Sequence, residues 1–439
     1  MNAPITSDNS TNSAPPAITL DERTYARGLA CVHCGLCLPA CPTYTQTWNE
    51  ADSPRGRIQL MLALADGEIQ PTASVRKHLD LCLDCRACET ICPSGVVYHE
   101  LIEESRPKLE PLQSPTLQSR LLRWVSFHIL THPSRLKLAL IPARIIRRLG
   151  LAHLLPGTLR TMTLMAPASG AMFPKPLPPL TRSTAPERTK VRVTLLPTCV
   201  GSVTYDHVNR CAIELLAACG VDVNVSSAPL CCGAVHHHNG APDEAREIAR
   251  RTIDALLPIG GPAPDFITTT VAGCGAMLKD YPFIFRDDPQ YRDRAEEFSR
   301  RVRDISELLL ELGLPEPKHM VNETVTYHDA CHLAHAQQVT AAPRKLLMKI
   351  PGLNLIALPE SDTCCGAAGT YNLTQPEMAT QLAERKLRNI ESTRCTTVVA
   401  GNVGCAMHIK AQADLRGQKV TIVHPVELLH RAVFGDSRS

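Results

Sequence analysis

No stretch of about 18 or more consecutive apolar residues occurs in this sequence of 439 residues, so we expect no membrane-spanning helix. Residues 1–20 lack both a cationic start and an apolar core, which predicts a loose tail rather than a signal peptide or an anchor. The formal net charge is only +3, which gives no general reason to expect nucleic-acid binding. With 44% hydrophobic and 20% charged residues, the chain has the composition of a globular protein of several domains.

Cysteine, in contrast, is abundant, with 19 residues. An odd number in a sequence without an export signal argues against a disulfide framework, and clustered reduced thiols are typical of metal sites. Eight of them form two runs that share the spacing C-x2-C-x2-C-x3-C-P. The first run contains Cys31, Cys34, Cys37 and Cys41, and the second contains Cys82, Cys85, Cys88 and Cys92.

This spacing holds [4Fe–4S] clusters in two-cluster bacterial ferredoxins, where the fourth cysteine of each run ligates the other cluster. The proline that follows each run ends the loop rigidly. We therefore predict two [4Fe–4S] clusters with crossed ligands: Cys31, Cys34, Cys37 and Cys92 for the first, and Cys82, Cys85, Cys88 and Cys41 for the second. Zinc is the alternative, but zinc sites rarely show a doubled four-cysteine run that ends in proline.

Residues 21–110 are predicted to form a mainly helical version of the two-cluster ferredoxin domain. Between the runs, Ser53 is expected to cap a helix that continues through Pro54 to about residue 65. Arg55 and Arg57 fall in its first turn. A solvated or carboxylate-paired face is the expectation for these two side chains, and a docking role is the alternative.

Residues 111–188 are predicted to form a basic helical connector. It contains no acidic residue from Pro111 to Pro186, whereas ten residues there are Lys or Arg. Its mixture of cations and apolar residues predicts one or two amphipathic helices, interrupted at Pro133 and Pro142. Such helices either lie on an anionic membrane surface or an acidic partner, or pack on the cluster domain, and both interpretations stay open. The segment 166–186 contains six prolines and is predicted to be a linker.

The rest of the chain alternates strand and helix patterns and repeats itself, in units 189–320 and 321–435. In each unit a single cysteine is followed by a Cys-Cys-Gly triplet and then by a Gly-Cys pair. The intervals are 31 and 41 residues in the first unit and 32 and 39 residues in the second. The predicted fold class is therefore α+β and multidomain, with a mainly helical two-cluster ferredoxin-like domain followed by a duplicated α/β domain.

The cysteines of both units follow predicted strands, and sites in parallel α/β sheets form beyond the carboxyl ends of strands. They are Cys199, Cys231, Cys232 and Cys274 in the first unit and Cys331, Cys364, Cys365 and Cys405 in the second. Two interpretations stay open: a further iron–sulfur or redox-thiol site, or buried structural or zinc thiols. His236, His237 and His238 are expected in a solvated loop, with a metal tract as the alternative. His332 and His424 either titrate near a site or serve in packing.

On these motifs the chain resembles the iron–sulfur subunits of bacterial glycolate oxidase. The resemblance runs from about Arg27 to Phe434, and its most specific parts include Cys31 to Thr43, Ser53 to Ile58, Cys82 to Tyr98 and Cys364 to Tyr371. The duplicated half also resembles heterodisulfide reductase subunits, whose motif ends in C-x2-C. Met277 and His408 occupy that last position here, which argues against the large noncubane cluster of those enzymes.

The resemblance implies an oxidoreductase complex in which flavin-containing partner subunits, carrying FAD, oxidise glycolate to glyoxylate. This chain would relay single electrons toward a quinone or another acceptor, in the cytoplasm or peripherally on the cytoplasmic face of the inner membrane. The sequence lacks the G-x-G-x-x-G fingerprint and an acid/base pair suited to a hydroxy acid, so we expect it to contain no catalytic residues. The alternative is a catalytic heterodisulfide- or quinone-reductase subunit that uses the Cys-Cys-Gly cysteines.

Overall fold

The computed structural model describes residues 18–110, 116–167, 176–185, 191–226 and 228–435. Most of the predicted tail and part of the predicted linker lie outside these residues. Within 18–110 the chain forms helices and turns but no strand, as expected for the helical ferredoxin-type domain. Its helices are α1 (Glu22–Leu29), α2 (Tyr44–Thr47), α3 (Pro54–Ala65), α4 (Ala73–Asp80), α5 (Ala87–Thr90) and α6 (Tyr98–Leu109), with a 3-10 turn at Glu50–Asp52.

Helix α3 begins as the sequence predicts. The Ser53 side chain accepts a hydrogen bond of 3.0 Å from the amide of the third residue after it, and Pro54 occupies the first helical position. Met61 and Leu64 of this helix are fully buried and belong to the same apolar core as Leu101 of α6. This core anchors the segment between the two cysteine runs.

The connector forms three helices, α7 (Leu117–Val125), α8 (Pro133–Arg148) and α9 (Gly157–Met165), with a π-helical turn at Ser126–Leu130 and a 3-10 turn at Leu151–Leu154. Pro133 begins α8, but Pro142 lies inside it, so the predicted interruption at Pro142 is wrong. The carbonyl that loses its helical partner belongs to Leu138, and both Leu138 and Pro142 lie on the exposed side of the helix. Among the described residues, every helix falls short of the length and apolarity that crossing a bilayer requires.

The first unit has a five-stranded sheet in the order β1-β3-β2-β4-β5. All neighbouring strands are parallel except β1, which pairs antiparallel with β3. Strand β1 lies in the segment predicted to be a linker, which corrects that prediction; a two-residue edge strand tolerates the flanking prolines. The elements are β1 (Leu180–Thr181), β2 (Val191–Leu195), α10 (Gly201–Thr204), α11 (Asp206–Ala218), β3 (Val221–Val225), α12 (Ala234–His238), α13 (Pro242–Leu256), β4 (Phe266–Thr269), α14 (Ala272–Lys279), α15 (Tyr281–Ile284), α16 (Arg292–Arg301), β5 (Val302–Asp304) and α17 (Ile305–Leu312).

The second unit has a four-stranded parallel sheet in the order β7-β6-β8-β9. This order matches β3-β2-β4-β5 of the first unit, so the internal repeat seen in the sequence is a repeat of topology. The elements are β6 (Thr324–His328), α18 (Ala341–Leu347), β7 (Asn354–Ile356), α19 (Tyr371–Thr374), α20 (Pro376–Ser392), β8 (Thr397–Ala400), α21 (Val403–Leu415), β9 (Thr421–Val423) and α22 (Pro425–Phe434), with a π-helical turn at His332–Ala336.

The two units share one apolar core. Val193 and Leu195 of β2 belong to the same buried cluster as Val325 of β6 and Val426 of α22. A buried polar contact crosses the same boundary, because the imidazole Nε2 of His424 donates to the carbonyl oxygen of Thr270 at 3.0 Å. The carboxyl ends of the strands therefore hold their cysteines on a fixed common scaffold.

Candidate metal centres

The two four-cysteine runs fold into loops with matching backbone conformation. The residues on either side of the second cysteine are left-handed in both: φ is 54° at His33 and 84° at Gly35, and 53° at Asp84 and 59° at Arg86. Such residues reverse the direction of the chain between neighbouring thiols. A repeated tight loop that carries three cysteines fits a [4Fe–4S] cluster, which takes three thiolates from one run.

The first predicted ligand set surrounds one pocket. Its lining includes Cys31, Cys34, Cys37 and Cys92, so Cys92 of the second run reaches the loop of the first. Cys88, which is predicted for the second cluster, lines the same pocket. Burial raises the pKa of Cys37 to about 11, and the thiol of Cys31 adds to the rise. Cys34 is exposed to solvent. A [4Fe–4S] cluster takes four thiolates, so the pocket offers enough ligands for one, and the choice among its five cysteines stays a prediction.

Three of the four cysteines of the second predicted set are buried, and Cys88 is partly buried. Cys82 and Cys85 are each 8% exposed and Cys41 is 6% exposed. Burial raises the pKa of Cys85 well above its usual range, and the thiols of Cys364, Cys41 and Cys82 raise it further. Burial and the thiols of Cys85, Cys82 and Cys41 act on Cys88 in the same direction. Thiols crowded together away from water ionise only with a compensating cation, so this group also fits an iron–sulfur cluster, and the crossed assignment stays a prediction.

A buried arginine, Arg57, lies beside the second set. Its guanidinium Nη1 is 3.9 Å from the Sγ of Cys41, while Nη2 donates to the Thr43 hydroxyl at 3.0 Å. Arg57 is 1% exposed, so its face is not solvated, but the expected pairing with a carboxylate holds for it, because its Nη2 is 3.9 Å from Asp52 Oδ1. The expectation of carboxylate pairing holds for Arg55, which forms a 2.6 Å ion pair with Glu50. Spacing alone gave no signal that separates the two arginines.

The four cysteines of the first unit converge at the carboxyl ends of β2, β3 and β4. The Sγ atoms of Cys199 and Cys231 are 3.7 Å apart. Contacts with the thiols of Cys231 and Cys274 raise the pKa of Cys232 well above its usual range. Gly233 has φ of 87°, which explains the glycine of the Cys-Cys-Gly triplet.

The four cysteines of the second unit converge in the equivalent place, with an added histidine. The Sγ atoms of Cys331 and Cys364 are 3.9 Å apart. One ligand atom each of His328, Cys365 and Cys405 lies within 4.8 Å of the others, and all three residues are buried. Sequence reasoning missed His328, whose only signal is its position as the last residue of a strand.

The two histidines that the sequence did single out near these sites have other contacts. The Nε2 of His332 lies 2.9 Å from the backbone oxygen of Asp84. His424 caps α22, where its Nδ1 accepts from the amide of Val426 at 3.2 Å. Burial lowers the pKa of His424 to about 4, so this side chain is neutral at physiological pH.

The second cysteine run abuts the second unit and not only its own domain. Leu83 and Cys85 belong to one apolar cluster with Cys364, Tyr371 and Met378. The Tyr371 hydroxyl donates to the backbone oxygen of Leu81 at 3.0 Å. The second candidate cluster site is therefore next to the thiols of the second unit, whereas the first opens toward solvent.

The histidine run after the first Cys-Cys-Gly triplet is not a solvated loop, and that prediction is wrong. His236 and His237 are 6% and 7% exposed. The ring of His236 stacks on Phe127 with centroids 4.4 Å apart, and the Nε2 of His237 is 2.9 Å from Glu103 Oε2. Packing of the connector and of α6 against α12 covers these rings, which local composition cannot reveal.

Two kinds of comparison place the chain among known proteins. A family model for a 4Fe-4S dicluster domain matches residues 28–96, and a model for a cysteine-rich domain matches residues 193–279 and 325–410. These matches cover the two cysteine runs and the two repeated units.

Relatives of known name match over most of their length. A probable glycolate oxidase iron-sulfur subunit of Bacillus subtilis is 34% identical over 92% of this chain and 94% of its own. The glycolate oxidase iron-sulfur subunit of Escherichia coli is 33% identical over 95% of this chain and 98% of its own. Lactate utilization protein A of Oceanobacillus iheyensis is 29% identical over 55% of this chain. The chain is an electron-transfer component of an oxidoreductase and belongs to the family of glycolate oxidase iron–sulfur subunits.

Proposed function

We propose that this chain is the electron-transfer subunit of a complex that oxidises glycolate to glyoxylate, in which partner subunits carry FAD. The observation that supports this most is the pair of four-cysteine loops with matching backbone conformation, because their spacing is that of runs that hold [4Fe–4S] clusters. Removing two electrons from a hydroxy acid needs a two-electron cofactor, which fits the partners rather than these thiols. When bound, each cluster supplies one-electron transfer.

The residues of the ferredoxin-type domain have separate tasks in this proposal. Cys31, Cys34, Cys37 and Cys92 hold one cluster, and Cys41, Cys82, Cys85 and Cys88 hold the other. The left-handed residues on either side of Cys34 and Cys85 keep each loop tight. Arg57 places a buried positive charge against Cys41 and excludes water from that side.

We assign the contact with the flavoprotein partner to the surface around the first run. From Leu29 to Asn49 the sequence has no Asp, Glu, Lys or Arg. Val32 and Leu36 in this segment are 67% and 50% exposed, and Trp48 is 74% exposed. Uncharged surfaces with an exposed tryptophan are typical of the centre of protein interfaces, and here a predicted ligand, Cys34, lies among them.

The cysteines of the duplicated units are proposed as a further iron–sulfur or redox-thiol site. The second unit is the stronger case, because His328 supplements its four cysteines and because Cys364 neighbours Cys85. This position suits a site that exchanges electrons with the second cluster. The terminal acceptor, a quinone or another oxidant, is then expected on this side of the molecule.

We also propose that the chain works in the cytoplasm and contacts the inner membrane peripherally through the connector. Leu117, Leu121 and Trp124 follow a helical spacing on α7 and are 84%, 60% and 52% exposed. Not every cation of the connector takes part, since Arg147 pairs with Asp414 at 2.6 Å. An apolar helical face among basic residues suits an anionic lipid surface.

Reconstitution tests the proposed function. Anaerobically purified chain is mixed with its flavoprotein partners, and glycolate-dependent reduction of a dye is followed. We expect no activity from the chain alone, activity on mixing, and none when Cys34 and Cys85 are both replaced by serine. Glycolate oxidation by this chain alone, or full activity of the complex without it, would contradict the proposal.

A further inference from the structure

Three side chains from separate parts of the chain, two of them buried and one partly buried, meet beside the second cysteine run. Asp84 belongs to the run itself, Glu103 to α6, and His238 to the end of α12 in the first unit. One ligand atom of each lies within 4.8 Å of the others. Asp84 and Glu103 are both 4% exposed. These residues are distinct from the thiols that hold the predicted clusters.

The distances in this group match those around a bound ion. The Nδ1 of His238 is 3.2 Å from Asp84 Oδ2 and 3.1 Å from Glu103 Oε1. Nitrogen and oxygen ligands that lie about 2.0–2.2 Å from a small divalent ion are about 3 Å from one another. The His238 nitrogen thus has the spacing of a neighbouring ligand to each of the two carboxylate oxygens.

The polar atoms of the group lack enough protein partners. Within the described residues, neither oxygen of the Asp84 carboxylate nor Oε1 of Glu103 accepts a hydrogen bond of good geometry. A protonated Nδ1 on His238 has a single hydrogen to offer to two carboxylates. Arg86 is nearby, 3.6 Å from Glu103 Oε1, but its guanidinium is engaged by both oxygens of Asp280 at 3.0 and 2.5 Å. Buried carboxylate oxygens in this situation favour a cation.

Outer contacts hold two of the three residues in place. The Nε2 of His237 lies 2.9 Å from Glu103 Oε2, whereas the contact with His238 is to Oε1. The Nε2 of His332 lies 2.9 Å from the backbone oxygen of Asp84. Histidine contacts of this kind orient the carboxylate ligands of metal sites and increase their affinity for the ion.

We propose that Asp84, Glu103 and His238 bind one divalent transition-metal ion, separate from the iron–sulfur clusters. Two carboxylates and an imidazole suit Zn²⁺, Mn²⁺ or Fe²⁺. The ion joins the ferredoxin-type domain to the first unit and compensates the two buried carboxylates. This assignment gives the histidine run a role, and it does not depend on which substrate the complex oxidises.

The proposal is tested by comparing the metal content of the chain with its content of acid-labile sulfide. The full chain and its His238→Ala variant are purified anaerobically, and zinc, manganese, iron and sulfide are measured per chain. Since [4Fe–4S] clusters contain equal iron and sulfide, we expect the variant to lose about one metal ion per chain while its sulfide and visible absorption stay unchanged. The control is His236→Ala, whose ring stacks on Phe127 outside the group and which should keep the ion.

Two further measurements keep the test decisive. If His238→Ala fails to fold, Glu103→Gln, which preserves side-chain volume, carries the same expectation. When one equivalent of Mn²⁺ is added to chelator-treated wild-type protein, the EPR signal of the free ion should disappear. In either variant the affinity for Mn²⁺ should be at least about tenfold lower. Equal metal-to-sulfide ratios in the wild type and the variants, with equal Mn²⁺ binding, would overturn the proposal and leave a protonated His238 between the carboxylates, with Arg86 beside Glu103.

Discussion

The two cysteine runs have one spacing and one loop conformation but opposite surroundings. Cys34 in the first run is exposed, and its neighbour Val32 is 67% exposed. The corresponding Cys85 is 8% exposed and packs in a cluster with Leu83 and Met378. Sequence spacing therefore determines how a loop presents its thiols, whereas the segments packed around it determine whether the site faces a partner or the interior.

The two repeated units differ in a similar way. Both place four cysteines beyond the ends of equivalent strands, but the second unit adds His328 to its group. It also carries a buried histidine, His408, where the first unit has Met277. The two units thus share one topology but differ in residues that belong to the cysteine groups or to the cysteine motif.

The largest effect is expected from removing one ligand of each run. Cys34→Ser and Cys85→Ser should each lower iron and sulfide from about eight to about four per chain, because each removes one predicted cluster. Cys85→Ser should destabilise the chain by a further 1–3 kcal/mol or so, since its hydroxyl is buried among apolar groups. Iron and sulfide assays and thermal unfolding measure both effects. Retention of the full iron content in either variant would contradict the ligand assignment.

A smaller effect is expected at low pH, where the second unit should lose folding stability because of His408. Burial lowers the pKa of His408 to about 4 from the ordinary 6.5. The folded chain then binds fewer protons than the unfolded chain in this window, so stability present above pH 6.5 is lost as the pH falls toward 4. At about 1.4 kcal/mol per pKa unit, the loss amounts to about 3 kcal/mol. His408→Met, which copies the residue of the first unit, should remove this part of the acid sensitivity.

The measurement for His408→Met is the melting temperature across the acid range. Some pH dependence should persist, because burial lowers the pKa of His424 to about 4 as well. Met277→Leu in the first unit is the matched control and should melt with the wild-type pH profile. An unchanged profile for His408→Met would show that this imidazole is not kept neutral in the folded protein.

The two tryptophans of the chain separate the proposed partner surface from the proposed lipid surface. Trp48→Glu should weaken association with the flavoprotein by about 2 kcal/mol, or roughly 30-fold, because interface tryptophans contribute energies of this size. Trp124→Glu on α7 should instead weaken binding to anionic vesicles. Iron and sulfide should be unchanged in both variants. Association assays and vesicle sedimentation measure the two losses, and a variant that impairs both equally would contradict the separation.

The smallest effect is expected from the two arginines of α3. Arg57→Gln removes a buried positive charge beside Cys41 and should lower the reduction potential of the second cluster by on the order of 60 mV, a tenfold change in its equilibrium constant. Arg55→Gln, on the exposed side, should shift either cluster by only a fraction of that. EPR-monitored redox titration measures the potentials. Equal shifts from both substitutions would show that burial at Arg57 does not matter.

Much of this architecture is predictable because local signals determine it. The cap at Ser53, the proline at the start of α3 and the paired cysteine intervals each depend on neighbours in the sequence. The parallel pairing of the repeated strands in both units follows from the alternation of strands and helices. Predicting these features requires no knowledge of which segments of the chain pack against each other.

The features that the sequence did not reveal depend on contacts between distant segments. His238 meets Asp84 and Glu103 only because α12 packs on the ferredoxin-type domain. Arg57 is buried because its guanidinium reaches the backbone of His78 and the side chain of Thr43. Pro142 lies within a helix at an exposed position, four residues after the exposed Leu138. The spacing and composition of a sequence do not indicate which distant segments will be in contact.

The most direct measurement of the central claim is the iron and acid-labile sulfide content of the anaerobically purified chain, together with its low-temperature EPR spectrum after reduction. We expect a brown protein with at least about eight irons and as many sulfides, and signals from two magnetically coupled [4Fe–4S] clusters. A colourless protein that holds zinc and no sulfide, despite adequate iron during expression, would contradict the account.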